Sequence, residues 1–222
     1  SFRKSIKVNM SKIALGTVQF GIDYGVNSVD GQVGPEEVKK ILSYANLKGV
    51  GLLDVAPAYG NSEKILGRMN VSNFKVVTKT RHFDSLEIDN NDVKLLNNDF
   101  HHSLKDLKQY SVYGVLIHDA DDLLKPGAEK LFDKLQELKQ AEKIVKIGVS
   151  VYDHSQLQSI LDNFAIDLVQ LPFNILDRRM IDSGMFSTLR SKGVEVHARS
   201  VFLQGLLLMT EQSRHEKFNR WS

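Results

Sequence analysis

The chain has 222 residues, 25% of them charged, a formal net charge of +2 and no cysteine. Its length allows one sizeable core or two small ones. The missing thiols exclude disulfides, thiolate nucleophiles and Cys-type zinc sites, while the balanced charge gives no case for nucleic acid. No apolar run approaches the roughly 18 residues that a membrane helix needs. Residues 1–9 are basic and have no apolar stretch, so they do not read as a secretory signal. Lying directly before Met10, they are expected to be a vector-derived or disordered leader, with one domain over residues 10–222 and a cytoplasmic location by default.

Apolar runs of strand length occur at 13–18, 50–53, 74–78, 115–117, 144–149, 168–171 and 194–198. Between them lie stretches with apolar residues three and four apart, which predict helices at 35–48, 63–69, 93–108, 127–140, 155–163 and 178–191. Pro35 stands where a first-turn proline belongs, and Gly49 and Gly193 follow their helices as terminators. Strand and helix alternate throughout, which predicts right-handed βαβ crossovers and a parallel sheet. Two architectures have this pattern, a doubly wound sheet and a (β/α)8 TIM barrel. The turn after the first strand, Gly16 to Gly21, has neither the GxGxxG nor the GxxxxGK spacing of the doubly wound nucleotide folds. Asp54, Lys79 and His118 each close a successive apolar run, and barrels gather their active-site residues at that end of the strands. The barrel is the predicted fold, with seven of its eight strands identifiable.

Those strand ends suggest a chemistry. Asp54 is followed five residues later by Tyr59 in a loop bracketed by Pro57 and Gly60, and Asn61 or Ser62 can cap a helix carrying Glu63 in its first turn. A lysine about 4 Å from a tyrosine, at an effective dielectric near 20, favours the phenolate by roughly 4 kcal/mol, or about three pKa units. On that basis Lys79 is expected to bring Tyr59 close to working pH as a general acid, with Asp54 holding the ammonium in place. His118 offers a ring N–H to a carbonyl oxygen beside the Tyr59 hydroxyl. No side chain supplies hydride, so a nicotinamide is implied. A competing reading takes His118, Asp119, Asp121 and Asp122 as metal ligands of a hydrolase barrel, but Asp121 and Asp122 fit better as caps of the next segment, and no metal is predicted.

The stretch from Leu52 to Gly67 resembles the signature of the aldo-keto reductase family: Asp, a short Ala-containing spacer, Tyr-Gly, then Ser-Glu. The resemblance covers most of the chain and implies a catalytic tetrad of Asp54, Tyr59, Lys79 and His118. It implies cofactor contacts from Gly16, Thr17, Asp54, Ser150 (in Gly-Val-Ser) and Gln170. It also implies contacts from Arg199, Ser200 and Phe202, and from Gln204 and Gly205 in the loop around the pyrophosphate that follows them. Tyr24 joins Tyr59 and His118 as a substrate contact. Two positions depart from the family pattern: Val151 stands where Asn is usual, and Arg199 replaces the aromatic that stacks on the nicotinamide, a face that a planar guanidinium can also supply. The implied reaction is reduction of an aldehyde or ketone, a sugar derivative among the candidates, with NADP(H) following from family habit alone. A barrel that keeps the tetrad but serves as a binding or regulatory subunit is the alternative. The eighth strand, the last helices and the basic segment that reads a 2′-phosphate have no counterpart. The expectation is therefore a chain that continues beyond this sequence, or a degenerate relative, with sheet edges unpaired at the first and seventh strands.

Overall fold

A computed structural model describes residues 11–25 and 31–214; the proposed leader at 1–9 lies outside the described residues. The first strand, β1 (Leu15–Gly16), is shorter than the predicted run, and a single turn of helix, α1 (Val18–Gly21), replaces its end. Thr17, between the two, donates its N–H to the Asp54 carbonyl at 3.1 Å as the last rung of the ladder, and its hydroxyl to the same oxygen at 2.8 Å. There follow α2 (Pro35–Leu47), β2 (Leu52–Asp54), α3 (Ser62–Arg68), β3 (Lys75–Lys79), α4 (Asn90–Leu107) and β4 (Val112–Ile117). α2 opens on Pro35 as predicted, and α4 opens on a reciprocal capping box between Asp89 and Asp92. The series continues with α5 (Glu129–Gln140), β5 (Ile144–Ser150), α6 (His154–Asn163) and β6 (Leu168–Pro172). The helix predicted over 178–191 is two pieces, α7 (Arg179–Asp182) and α8 (Met185–Ser191), because Gly184 between them takes a left-handed φ of 73°. β7 (Glu195–Arg199) is the last strand among the described residues.

The seven strands form one sheet in the order β1-β2-β3-β4-β5-β6-β7, every neighbouring pair parallel. A flat sheet would hold β2 and β6 about 19 Å apart, at about 4.8 Å per strand. Yet the Gln170 side chain of β6 donates to Asp54 of β2 at 2.8 Å. The sheet therefore curls on itself as a barrel wall does. Val77, Leu116 and Leu168 pack together on the inside, with Leu52 and Tyr113 against them. The larger apolar core, including Leu53, Val76, Val115, Ile147 and Val169, lies between the outer face and the helices. At the lower end of the interior Glu195 accepts from Tyr113 at 2.6 Å and from Lys146 at 2.5 Å, and meets His197 at 2.7 Å. No helix among the described residues is long and apolar enough to cross a membrane.

Candidate active site

The upper mouth of this curled sheet gathers the strand-end residues. Asp54 ends β2, Lys79 ends β3 and His118 follows β4, so three neighbouring strands each deliver one polar side chain to the same rim. Tyr59 comes from the loop between β2 and α3. That loop is pinned by its own turns, Tyr59 N–H to the Ala56 carbonyl at 3.0 Å and Ser62 N–H to the Tyr59 carbonyl at 3.1 Å. The Ser62 hydroxyl reaches the carbonyl and hydroxyl oxygens of Thr17, each at 3.0 Å, which ties the start of α3 to the end of β1. α1 presses against the loop so closely that a Cβ on Gly21 would stand 1.6 Å from the Tyr59 carbonyl oxygen.

Lys79 is buried and donates three hydrogen bonds: to Asp54 Oδ1 at 2.7 Å, to the Val55 carbonyl at 3.0 Å and to the Tyr59 hydroxyl at 3.0 Å. An ammonium has three protons, so all are used. The Tyr59 hydroxyl in turn lies 3.4 Å from Asp54 Oδ2, closing a triangle of three side chains. Burial lowers the Lys79 pKa, and the Asp54 carboxylate opposes that shift. Burial and the charge of Asp54 push the Tyr59 phenol well above its usual range, with Arg199 pulling weakly the other way. This corrects the expectation that Lys79 brings Tyr59 near neutral pH: the ammonium's field is offset by the carboxylate it is paired with, and burial disfavours the phenolate. Burial, then Lys79, lowers the pKa of His118. Its ring is thus neutral at pH 7, with one N–H to give.

The residues expected to contact a cofactor fall into two groups. Ser150 and Gln170 stand side by side in register at the tops of β5 and β6, both buried, and Gln170 makes the bond to Asp54 already described. A Cβ on Gly16 would meet nothing within 4 Å, which leaves open space beside Asp54, its register partner. Thr17 differs from expectation: fully buried, with its hydroxyl on the Asp54 carbonyl, it offers a ligand no side chain. The second group follows β7. Arg199 donates to the Val151 carbonyl at 3.2 Å, and its guanidinium lies 4.4 Å from the centre of the Tyr152 ring. Ser200, Leu203 and Gln204 take left-handed φ values of 58°, 48° and 56°, a cluster of strain that non-glycine residues adopt at a cost. Phe202 is half-exposed, and Gly205 closes the turn by donating to the Phe202 carbonyl at 3.0 Å. Gln204 donates to the Tyr24 hydroxyl at 3.1 Å, joining this loop to the one after β1.

Three supporting residues have roles that the sequence reading did not assign. Glu63 is buried and accepts from Thr78, the neighbour of Lys79, at 2.9 Å; burial raises its pKa. The buried Asn174 donates to the Ser200 carbonyl at 3.2 Å and accepts from the N–H groups of Leu176 and Asp177, both at 2.9 Å, holding the strained loop from below. The Thr80 hydroxyl accepts from the backbone N–H of His118 at 3.2 Å. Each is a polar residue within a motif, and only the buried geometry separates it from a surface residue. The acids after His118 are engaged otherwise: Asp119 caps the short helical turn at Ala120–Leu123, and Asp122 pairs with Lys125 at 2.7 Å. Among the described residues no three His, Asp or Glu side chains form a metal-holding group.

The sequence profile of the aldo/keto reductase family matches residues 12–221. The chain belongs to that family. Aldo/keto reductases are oxidoreductases, and two curated relatives are similar along most of this chain. The NADH-specific methylglyoxal reductase of Escherichia coli is 26% identical over 91% of the chain and 67% of its own length. The aldo-keto reductase YhdN of Bacillus subtilis is 28% identical over 79% of the chain and 54% of its own length. The chain thus spans between about half and two thirds of these aldo/keto reductases. An aldo-keto reductase structure from Bacillus halodurans superposes with a TM-score of 0.71 at 20% identity, over 89% of this chain and 64% of that one, and carries the same barrel fold.

Proposed function

We propose that the protein is a nicotinamide-dependent carbonyl reductase in which Tyr59 protonates the carbonyl oxygen of an aldehyde or ketone, a sugar derivative among the candidates. The observation that carries this reading is the closed triangle of Asp54, Lys79 and Tyr59 at the mouth of the barrel. A bound nicotinamide supplies the hydride. The alkoxide left by hydride addition is the base of an alcohol about as weakly acidic as water. A phenol held above its usual pKa therefore stays loaded with its proton at neutral pH and still releases it to that alkoxide. Lys79, already hydrogen-bonded to the phenol oxygen, stabilises the phenolate that remains, and Asp54 keeps the ammonium charged. His118, neutral, gives its N–H to the same carbonyl oxygen.

The residues present fit a nicotinamide cofactor. Open space lies beside Gly16, and two buried polar side chains stand together at Ser150 and Gln170. We assign the holding of the cofactor to these residues together with Asp54, Ser200, Phe202, Gln204, Gly205 and the guanidinium face of Arg199 turned away from Tyr152, with Thr17, buried and fully bonded, supporting the rim rather than touching the ligand. Tyr24 borders the substrate. NADP(H) is our choice, although the name of the Escherichia coli relative specifies NADH.

The test is oxidation of NADPH, and separately of NADH, with 4-nitrobenzaldehyde. Wild-type protein should turn over. Tyr59→Phe should lose about 10²–10⁴-fold in turnover, with cofactor affinity within a few-fold. Near wild-type turnover by Tyr59→Phe overturns the mechanism. Cofactor binding without any turnover favours instead a non-catalytic barrel that serves as a binding or regulatory subunit.

A further inference from the structure

Among the described residues, a cation at the mouth of the barrel stands without an ion-pair partner. Arg199 takes part in none of the ion pairs among the described residues. The acid nearest in sequence on the preceding loop, Asp177, is held by Arg179 at 2.8 Å. The guanidinium is nonetheless fixed: it lies on the Tyr152 ring and gives one proton to the Val151 carbonyl. Its Nε is buried and makes no hydrogen bond. A buried donor without a partner is costly, and such groups are rare unless something outside the chain completes them. The charge also bears on the reacting groups, because Arg199 lowers the proton affinity of Tyr59, Lys79 and His118 alike. It therefore stands close enough to those groups for its charge to reach them. Lys79, the other cation of that cluster, has every proton engaged.

We propose that Arg199 determines substrate specificity: its guanidinium, held over the Tyr152 ring and anchored by the Val151 carbonyl, receives a carboxylate or phosphate carried by the carbonyl substrate. The proposal rests on the carbonyl-reductase reading. A planar guanidinium matches an anionic oxygen pair in a way that an uncharged ring at the same position does not. Tyr152 is itself exposed, so the ring holds the guanidinium at the surface and supplies no charge that would neutralise it. The same anionic chemistry could come from the cofactor's phosphates, and the experiment separates the two sources.

In the full-length protein, kcat/KM is measured for 2-, 3- and 4-carboxybenzaldehyde and for the three matching nitrobenzaldehydes, which present the anion at three distances from the carbonyl. Wild type should favour at least one carboxylated isomer over its nitro counterpart by tenfold or more. Arg199→Met should bring that ratio to within about twofold, and Arg199→Lys should retain part of it. Any effect of the substitution on folding, cofactor binding or the proton donor enters both aldehydes equally and cancels in the ratio. A ratio unchanged in Arg199→Met, or no preference in wild type for any isomer, overturns the proposal. The cofactor arm is a fluorescence titration with NADPH and NADH: a tenfold loss of affinity in Arg199→Met, with the aldehyde ratio unmoved, assigns the anion to the cofactor and likewise overturns it. Absence of turnover with every aldehyde, charged or neutral, brings down the carbonyl-reductase reading first and this proposal with it.

Discussion

Asp54 receives more hydrogen bonds than any other acid at the barrel mouth. One carboxylate oxygen accepts from Lys79 and from Gln170, the other lies within reach of Tyr59, and the backbone carbonyl takes two donors from Thr17. Its position at a strand end is legible in the sequence, because an apolar run that stops on a carboxylate marks where the chain meets the rim. The direction of the Tyr59 pKa is not legible, since burial is set by what packs around the phenol and no linear spacing records that. The pH profile carries the difference. Tyr59 is held above its usual value of about 10, so kcat/KM for reduction should stay level through neutral pH and fall only well into the alkaline range. A fall centred near neutrality would restore the simpler pairing with Lys79. Glu63 gives a second test. Burial raises its pKa above 4.5, so the fold prefers the protonated acid, and stability declines as pH rises through that range. Glu63→Gln, which keeps an acceptor for Thr78, should raise Tm at pH 8 relative to wild type and leave it almost unchanged at pH 4, as thermal scans at the two pH values will tell.

The elements themselves are largely legible, because alternating strands and helices leave a strong periodic trace and each predicted run overlaps an observed one. The exceptions are local. The end of the first predicted strand becomes α1, and where the strand stops the Thr17 hydroxyl bonds to a residue 37 positions away. A pattern read along the sequence contains no such partner. Gly184 splits the predicted sixth helix, and there the signal was present in the residue itself. The contact of α1 with the Tyr59 loop is the element-scale feature with the clearest consequence. Gly21→Ala would put a methyl group 1.6 Å from the Tyr59 carbonyl oxygen, so the loop must move. A displacement near 1 Å can cost about 10²-fold in rate. Turnover should drop by one to two orders of magnitude while the Tyr59 side chain is chemically intact. Unchanged turnover in Gly21→Ala would mean that the loop is positioned from elsewhere.

At the scale of the molecule, the barrel class follows from the order of elements, whereas the polar network inside its lower end does not. Glu195, Tyr113, Lys146 and His197 come from three strands that only the register brings together. Burial raises the Glu195 pKa, but hydrogen bonds from Lys146, Tyr113 and His197 outweigh it and hold the acid at about 2, below its ordinary 4.5. A depressed carboxylate contributes stability above pH 4.5 and loses it as pH falls toward 2. Discounted for partial exposure, the contribution is about 1 kcal/mol. Urea titrations between pH 4.5 and 2 should therefore show wild type losing more stability than Glu195→Gln by about that amount; parallel losses would mean that the network is neutral to acid.

The hydrogen bonds that curl the sheet have a kinetic corollary. Each strand pairs with its predecessor, so the wall can zip up from one neighbour to the next across connections of modest length compared with the chain. The bond from Gln170 to Asp54 spans 116 residues, and that from Gln204 to Tyr24 spans 180. Closing such distances carries an entropy cost that only a largely assembled wall can offset. During refolding, helical and strand signals in the far ultraviolet should accordingly return before the ability to bind NADPH or turn over an aldehyde. A chain interrupted part-way would hold most of its secondary structure and no assembled active site.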